Sequence, residues 1–234
     1  DYCFKEAIES LLGVCEELSV VDAGSNDGTL EQLLDWSLRE PRISVSRADW
    51  KPNALGEWLC DIANKARLTL KAGYHVYLQA DEVIHEASYP EIRACAQAGA
   101  CAWVHRLNFW KDARHIVPPG KWCGHRLIRC APTHVPIVGD CEGMHIGFTP
   151  QLQTGIRIFH YGTLRRPEAW ARKARMMEDA YFGKHNPVIE KVESEGAAPL
   201  KEYYPDDILI PIYETHPAVA QQWLTERGYE CCAH

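Results

Sequence analysis

The sequence predicts one α/β domain, in which a mostly parallel sheet is flanked by helices and followed by a helical C-terminal tail. Strand-like and helix-like segments alternate along the first half of the chain, which is the pattern of parallel strands joined by helical crossovers. The length of 234 residues and the hydrophobic content of 46% suit a single well-filled core. We expect a core at residues 1–165 and a helical extension of the same domain at residues 166–234.

Each element is predicted from its apolar pattern and its flanking residues. Short apolar runs predict strands at residues 18–21, 42–46 and 74–79. Apolar residues at helical spacing predict helices at residues 4–14, at 30–38, in the segment that Asn53 can cap, and at 167–182 and 216–228. The segment at residues 190–199 is predicted as a loop.

Composition narrows the class of protein. The net charge of −7 disfavours a nucleic acid as the partner, since nucleic-acid binders usually carry a basic stripe, but it leaves a nucleic-acid acceptor open. We interpret the ten cysteines as mostly reduced, because a chain of this length and apolar content needs no disulfide framework, and we expect a cytoplasmic protein. No apolar run approaches the ~18 residues of a membrane helix, so no membrane segment is predicted.

Two acidic motifs follow predicted strands. Residues 20–29 read VVDAGSNDGT, and residues 77–82 read YLQADE. Open α/β sheets bind their ligands beyond the carboxyl ends of the strands, so both motifs stand where a ligand would lie. Within the first motif we interpret Asp27 as a turn-forming residue, with Gly24 and Gly28 supplying unusual backbone angles.

These motifs resemble those of family 2 glycosyltransferases of the GT-A fold. In that family one strand ends in an Asp followed by a Gly-Ser-x-Asp-Gly-Thr turn, and a later strand ends in an Asp-x-Asp-type motif. The resemblance extends to Asn64, to residues 126–129 (RLIR) and to His160 with the Tyr-Gly pair after it, so it covers roughly residues 4–175. It implies a GT-A type domain with a Rossmann-like sheet.

The resemblance implies transfer of a sugar, with inversion, from a nucleotide-sugar donor to a hydroxyl group of a saccharide or another acceptor. The expected donor is a UDP-sugar. A Mn²⁺ or Mg²⁺ ion would stabilise the negative charge of the diphosphate leaving group. The implied metal ligands are Asp81 and His160, since hard cations take carboxylate oxygens and Mn²⁺ tolerates an imidazole. The residues implied to bind the donor are Asp22, which would hold the nucleoside, Ser25, Asn64, Gln79 and Asp81.

The sequence departs from the family pattern at two places. Gln79 replaces the first acid of the Asp-x-Asp motif, which removes one negative charge from the metal site, although Gln79 and Asp81 still face the same side of a strand. This keeps open the hypothesis of a transferase-like protein that binds its ligand without catalysing transfer. The family also has a strand ahead of the first helix, and we expect the natural protein to extend upstream by roughly 10 residues, a strand and a loop.

An inverting transferase needs a general base that accepts the proton of the acceptor hydroxyl. The resemblance places an Asp or Glu base in the second half of the domain. Asp140 and Glu142 are the only acids between Asp112 and Glu168. We predict Asp140 as the base, with Glu142 as the second candidate and His145 as the third.

A group of Cys and His residues is the basis of an alternative function. Six of them lie within 23 residues, namely Cys123, His125, Cys130, His134, Cys141 and His145. Paired Cys-x-x-Cys knuckles are missing from this spacing, which favours buried cysteines and pocket-lining histidines over a zinc site. A zinc-stabilised binding module built on residues 123–145 is the alternative to a transferase.

Overall fold

The computed structural model of the protein describes residues 2–49, 51, 57–120, 125–181, 186–196, 202 and 206–230. Asn53 and Cys123, both named above, lie outside these ranges. The described helices are α1 (Phe4–Leu12), α2 (Thr29–Arg39), α3 (Glu57–Arg67), α4 (Tyr89–Ala98), α5 (Pro167–Tyr181), α6 (Pro187–Glu195) and α7 (Ala218–Glu226). The described strands are β1 (Leu18–Asp22), β2 (Ile43–Arg47), β3 (Tyr74–Val76), β4 (Glu82–Ile84), β5 (Cys101–Asn108), β6 (His115–Ile116), β7 (Arg126–Pro132), β8 (Ile137–Val138), β9 (Gly143–Met144), β10 (Gln151–His160) and β11 (Ile210–Pro211).

The predicted α/β class and the helical C-terminal segment are confirmed. β1 and β2 pair in parallel through the crossover helix α2. A five-stranded sheet has the order β3-β7-β5-β10-β4, in which β5 and β10 are parallel and the other neighbours are antiparallel. The expected parallel pairing therefore holds for two strand pairs, and the remaining neighbours in the five-stranded sheet are antiparallel. Parallel neighbours need a long crossover connection, which is usually a helix. No described helix lies between β5 and β7, and these two strands pair antiparallel.

The two sheets meet at a cavity. In the part of the chain that the structure describes, β1 pairs with β2 alone and β3 pairs with β7 alone. Residues along both β1 and β3 line the same cavity.

The C-terminal helices pack on this core. Trp223 and Leu224 of α7 are buried in one cluster with Val83 and Phe159, which belong to the five-stranded sheet. None of the described helices is both long enough and apolar enough to cross a membrane.

The prediction of a loop at residues 190–199 is wrong over its described part, because α6 extends to Glu195. The side chain of Asn186 accepts a hydrogen bond from the backbone N–H of Val188 at 3.0 Å and so caps this helix. The apolar face of α6 is buried against Trp110 and Trp170. This tertiary contact stabilises a short helix that its polar sequence alone does not indicate.

Candidate functional site

A cavity of about 1350 Å³ lies between β1 and β3 and reaches the segments that follow both strands. Except for Asn64 and His145, the predicted site residues line it: Asp22, Ser25, Gln79, Asp81, Asp140, Glu142 and His160. The fold therefore brings together acidic motifs that are far apart in the sequence.

Asp22 organises the turn at the end of β1. Its side chain is only 4% exposed, and its Oδ1 accepts hydrogen bonds from the backbone N–H groups of Gly24 and Ser25, both at 3.0 Å. Asp27 stabilises the same turn, as predicted for a turn-forming residue, because its Oδ1 accepts hydrogen bonds from the N–H and the hydroxyl of Thr29 at 3.1 and 2.6 Å. The φ angle of Gly24 is 92°, a conformation that favours glycine.

Asn64 supports the opposite wall instead of lining the cavity. Its Nδ2 donates to the carbonyl of Ile137 at 2.7 Å, and its Oδ1 accepts from the N–H of Ile137 at 3.1 Å. Arg67 donates to the same Oδ1 at 2.8 Å. The amide thus ties α3 to β8, the strand that precedes Asp140.

Asp81 is a buried carboxylate surrounded by cationic groups. It is 3% exposed, and its Oδ2 accepts hydrogen bonds from Lys173 Nζ at 2.8 Å and from Arg165 Nη2 at 3.0 Å. Its Oδ1 lies 3.7 Å from His160 Nε2. Burial by itself raises the pKa of Asp81, but Lys173, His160 and Arg165 outweigh it and hold that pKa well below its usual range. Asp81 is therefore ionised at neutral pH.

His160 is oriented towards Asp81 by a partner on β5. Its Nδ1 lies 2.9 Å from Asn108 Oδ1. When Nδ1 donates this bond, Nε2 presents a lone pair towards Asp81, as in metal sites whose histidines are held by an outer partner. Gly162 keeps this space open, because a Cβ there would lie 2.5 Å from His160 Nε2 and 2.9 Å from Asp81 Oδ2. A cation placed between them would have one carboxylate oxygen and one imidazole nitrogen as ligands.

The protein would supply two ligands to such a cation. Across the residues that the structure describes, no group of three or more His, Cys, Asp or Glu side chains is arranged to hold a metal ion. The other ligands would then be phosphate oxygens and water, which is usual for Mg²⁺ at phosphate sites. Gln79, which stands two residues before Asp81, donates a hydrogen bond from its Nε2 to Glu142 Oε1 at 3.4 Å.

Beneath the cavity lies a group of ionised side chains that we call the buried charge network: Glu82, Arg106, Arg129 and Glu142. Glu82 Oε1 accepts hydrogen bonds from Arg106 Nη1 and Arg129 Nη2, both at 3.0 Å. Glu82 and Arg106 have side chains that are 0% exposed, and that of Arg129 is 1% exposed. Burial raises the pKa of Glu82, and the charges of Arg129 and Arg106 reverse this, so the net shift is downward.

The buried charge network also holds Glu142, one of the candidate bases, in place through Arg106. Arg106 places Nη1 at 3.0 Å from Glu142 Oε1 and Nη2 at 2.9 Å from Glu142 Oε2. Arg129 donates to the carbonyl of Cys141 at 2.6 Å, and Cys141 has a φ of 69°, which is unusual for a residue other than glycine. Asp140 differs from Glu142 in being exposed, and its Oδ1 accepts the backbone N–H of Glu142 at 3.3 Å.

The described members of the Cys and His group lie in different surroundings. Cys130 and Cys141 are buried at 0% and 1% exposure, whereas His134 and His145 are exposed. Burial raises the pKa of the Cys141 thiol to about 12, so this group is a neutral thiol at physiological pH. His145, the third candidate base, is not among the residues that line the cavity.

Several residues of the site were not predicted from the sequence. Arg106 and Arg129 each interrupt an apolar strand, and a charged residue at a buried strand position is the pattern that could have identified them. Lys173 and Arg165 lie in a basic segment near α5 whose contact with Asp81 depends on how that helix packs. Glu82 directly follows Asp81, and only its burial distinguishes it from a surface acid.

Comparisons with known proteins give a limited result. No protein-family model and no curated protein matches the chain. Among solved structures, S. aureus TarS 1–349 in complex with UDP-GlcNAc is similar with a TM-score of 0.44 and 12% identity, over 86% of this chain and 69% of that one. The complex of S. aureus TarS 1–349 with UDP has a TM-score of 0.43 and 13% identity, over 87% of this chain and 70% of that one. The structure of S. aureus TarS has a TM-score of 0.42 and 12% identity, over 88% of this chain and 42% of that one. These similarities are too weak to carry a functional inference.

Proposed function

We propose that the protein is an inverting glycosyltransferase, which transfers a sugar from a nucleotide-sugar, expected to be a UDP-sugar, to a hydroxyl group of an acceptor. One observation carries the proposal: a single cavity is lined by the ends of both strand motifs and by Asp140 and Glu142. A donor held by the strand motifs would present its anomeric carbon to an acceptor beside these acids.

The nucleoside would lie at the end of β1. The Asp22 carboxylate lines the cavity there, and it can accept hydrogen bonds from a base or a ribose. The backbone N–H groups of Gly24 and Ser25 hold this carboxylate in place. The walls along β1 and β3 are largely apolar, which is typical of a small-molecule site with a few polar groups that set orientation.

The diphosphate would lie beside Asp81 and His160, which would together hold Mn²⁺ or Mg²⁺. The cation supplies Lewis-acid stabilisation of the charge that develops on the leaving group. Asn108 fixes the imidazole of His160, and Gly162 leaves the space that the cation and a phosphate oxygen need. Arg165 would keep its hydrogen bond to Asp81 Oδ2 and so balance part of the negative charge of this buried carboxylate.

The acceptor proton would go to Asp140. A general base needs a carboxylate oxygen that can reach the acceptor hydroxyl, and Asp140 is exposed at the cavity wall. Both carboxylate oxygens of Glu142 face the guanidinium of Arg106. Glu142 is therefore suited to holding the turn that contains Asp140 in position. We therefore assign the proton transfer to Asp140 and the support of its turn to the buried charge network.

Nucleotide binding tests the proposal directly. UDP is expected to raise the thermal midpoint of the protein, and to raise it further when Mn²⁺ is present, because a ligand of the folded state stabilises it by mass action. Asp81→Asn should remove the additional effect of Mn²⁺. Asp35→Asn, an exposed acid on α2, is the matched control and should keep it. If no nucleoside diphosphate stabilises the wild type under either condition, the proposal is wrong.

A further inference from the structure

Lys173 is placed to do more than neutralise Asp81. It lies near the middle of α5, its Nζ is 2.8 Å from Asp81 Oδ2, and it lines the cavity. Its side chain is 29% exposed, whereas that of Asp81 is 4% exposed. A partly exposed ammonium group thus stands at the point where the cavity reaches a buried carboxylate.

The second cation on the same oxygen is held more firmly. Arg165 donates from Nη2 to Asp81 at 3.0 Å and from Nε to the carbonyl of Gly162 at 2.8 Å, and its side chain is 3% exposed. Its guanidinium also lies 3.5 Å from the centre of the Tyr2 ring. Lys173 Nζ lies farther from the centre of the same ring, at 5.5 Å. Arg165 is therefore held by hydrogen bonds to two acceptors, while Lys173 has a flexible four-carbon stem that can redirect its ammonium group.

Lys173 and a divalent cation compete for Asp81. A cation held between Asp81 Oδ1 and His160 Nε2 would lie within a few ångströms of the Lys173 ammonium group, where like charges repel strongly because water is largely excluded. A diphosphate bound to that cation would bring negatively charged oxygens into the same part of the cavity. The ammonium group would then have a new anionic partner within reach of its stem.

We propose that Lys173 is a diphosphate-binding residue, which pairs with Asp81 when no donor is bound and transfers its hydrogen bonds to the donor diphosphate when nucleotide and cation enter. This inference rests on the proposed function. It assigns a role in donor binding to α5, a helix outside both strand motifs. It also requires that loss of Lys173 have opposite effects on two ligands, since Lys173 competes with the cation and assists the nucleotide.

The experiment measures both ligands on the intact protein. Isothermal titration calorimetry gives the affinity of UDP in the presence of saturating Mn²⁺, and Mn²⁺ electron paramagnetic resonance gives the affinity of Mn²⁺ alone. In Lys173→Met, we expect UDP to bind about 10-fold or more weakly, because a charge-assisted hydrogen bond to phosphate is lost. Mn²⁺ alone should bind more tightly than to the wild type.

Two variants control for charge and for folding. Lys173→Gln removes the same charge but keeps a polar side chain, and it should show both effects. It serves as the test variant if Lys173→Met is poorly folded. Arg172→Met removes one positive charge from the neighbouring exposed position, which does not line the cavity, and should change neither affinity more than a few-fold.

The outcomes separate this inference from the proposed function. If the wild type binds UDP and the folded Lys173 variants bind it equally well, Lys173 does not contact the diphosphate and the inference is overturned. If UDP and Mn²⁺ both bind more weakly to these variants, Lys173 only supports the geometry of Asp81, which also overturns it. If the wild type binds no nucleoside diphosphate, the proposed function fails and this inference fails with it.

Discussion

Replacing Glu82 by Gln tests the energetics of the buried charge network. In the folded protein Glu82 and Glu142 balance the charges of Arg106 and Arg129, so the network is neutral. Glu82→Gln keeps the size of the side chain but leaves two buried guanidinium groups with one carboxylate. Removing one partner of a buried ion pair typically costs about 3–5 kcal/mol, because the other charge stays desolvated.

Such a loss is large relative to the total stability of a protein. The free energy of unfolding of a domain is typically about 5–15 kcal/mol, and each kcal/mol corresponds to about 2–4 °C for a chain of this length. We therefore expect the thermal midpoint of Glu82→Gln to fall by about 6–20 °C. Urea denaturation at pH 7, followed by circular dichroism, measures the change in the free energy of unfolding.

A charge-balanced double variant shows whether charge is the cause. Glu82→Gln combined with Arg106→Met removes one charge of each sign, so it should be less destabilised than the sum of the two single variants. Glu230→Gln is the surface control. Glu230 pairs with Arg114 at 2.6 Å but is 79% exposed, so its loss should change stability little. A change below about 1 kcal/mol for Glu82→Gln, or simple additivity in the double variant, would refute this account of the network.

Two further predictions follow from the site. Asp140→Asn should slow sugar transfer by ~10²–10⁴ because a positioned base is lost, while UDP affinity should stay unchanged because the proposed donor contacts are Asp22, Asp81 and His160. Steady-state kinetics and calorimetry check this. Near-normal transfer would move the role to Glu142, for which Glu142→Gln is the parallel variant. His75 of β3 is 4% exposed, and burial, followed by the charge of Arg67, lowers its pKa from 6.5 to about 4. The unfolded chain then binds a proton that the folded protein does not, so stability should fall by about 3 kcal/mol as the pH falls from 6.5 to 4. His75→Leu should flatten this dependence in urea titrations at several pH values, and an unchanged pH dependence would contradict the assignment.

Local features of the site were predictable because their causes are local in the chain. The turn of residues 20–29 depends on glycines with positive φ and on bonds from Asp22 and Asp27 to backbone groups at most three residues away. The placement of Asp81 after an apolar strand follows from the alternation of strands and helices. The sequence by itself therefore determined the α/β class and the two acidic strand ends.

The partners of these residues were decided by tertiary packing. Lys173 and Asp81 are 92 residues apart, Arg165 and Asp81 are 84 apart, and Arg129 and Glu82 are 47 apart. Neither helical nor strand periodicity indicates which charge a helix will bring to which strand end. The sequence analysis ranked Asp140 ahead of Glu142, but the physical difference between them comes from the tertiary structure, in which the buried guanidinium of Arg106 faces Glu142. Short-range hydrogen bonding thus determines where the acids lie, whereas burial, which depends on the whole core, determines which charges they meet.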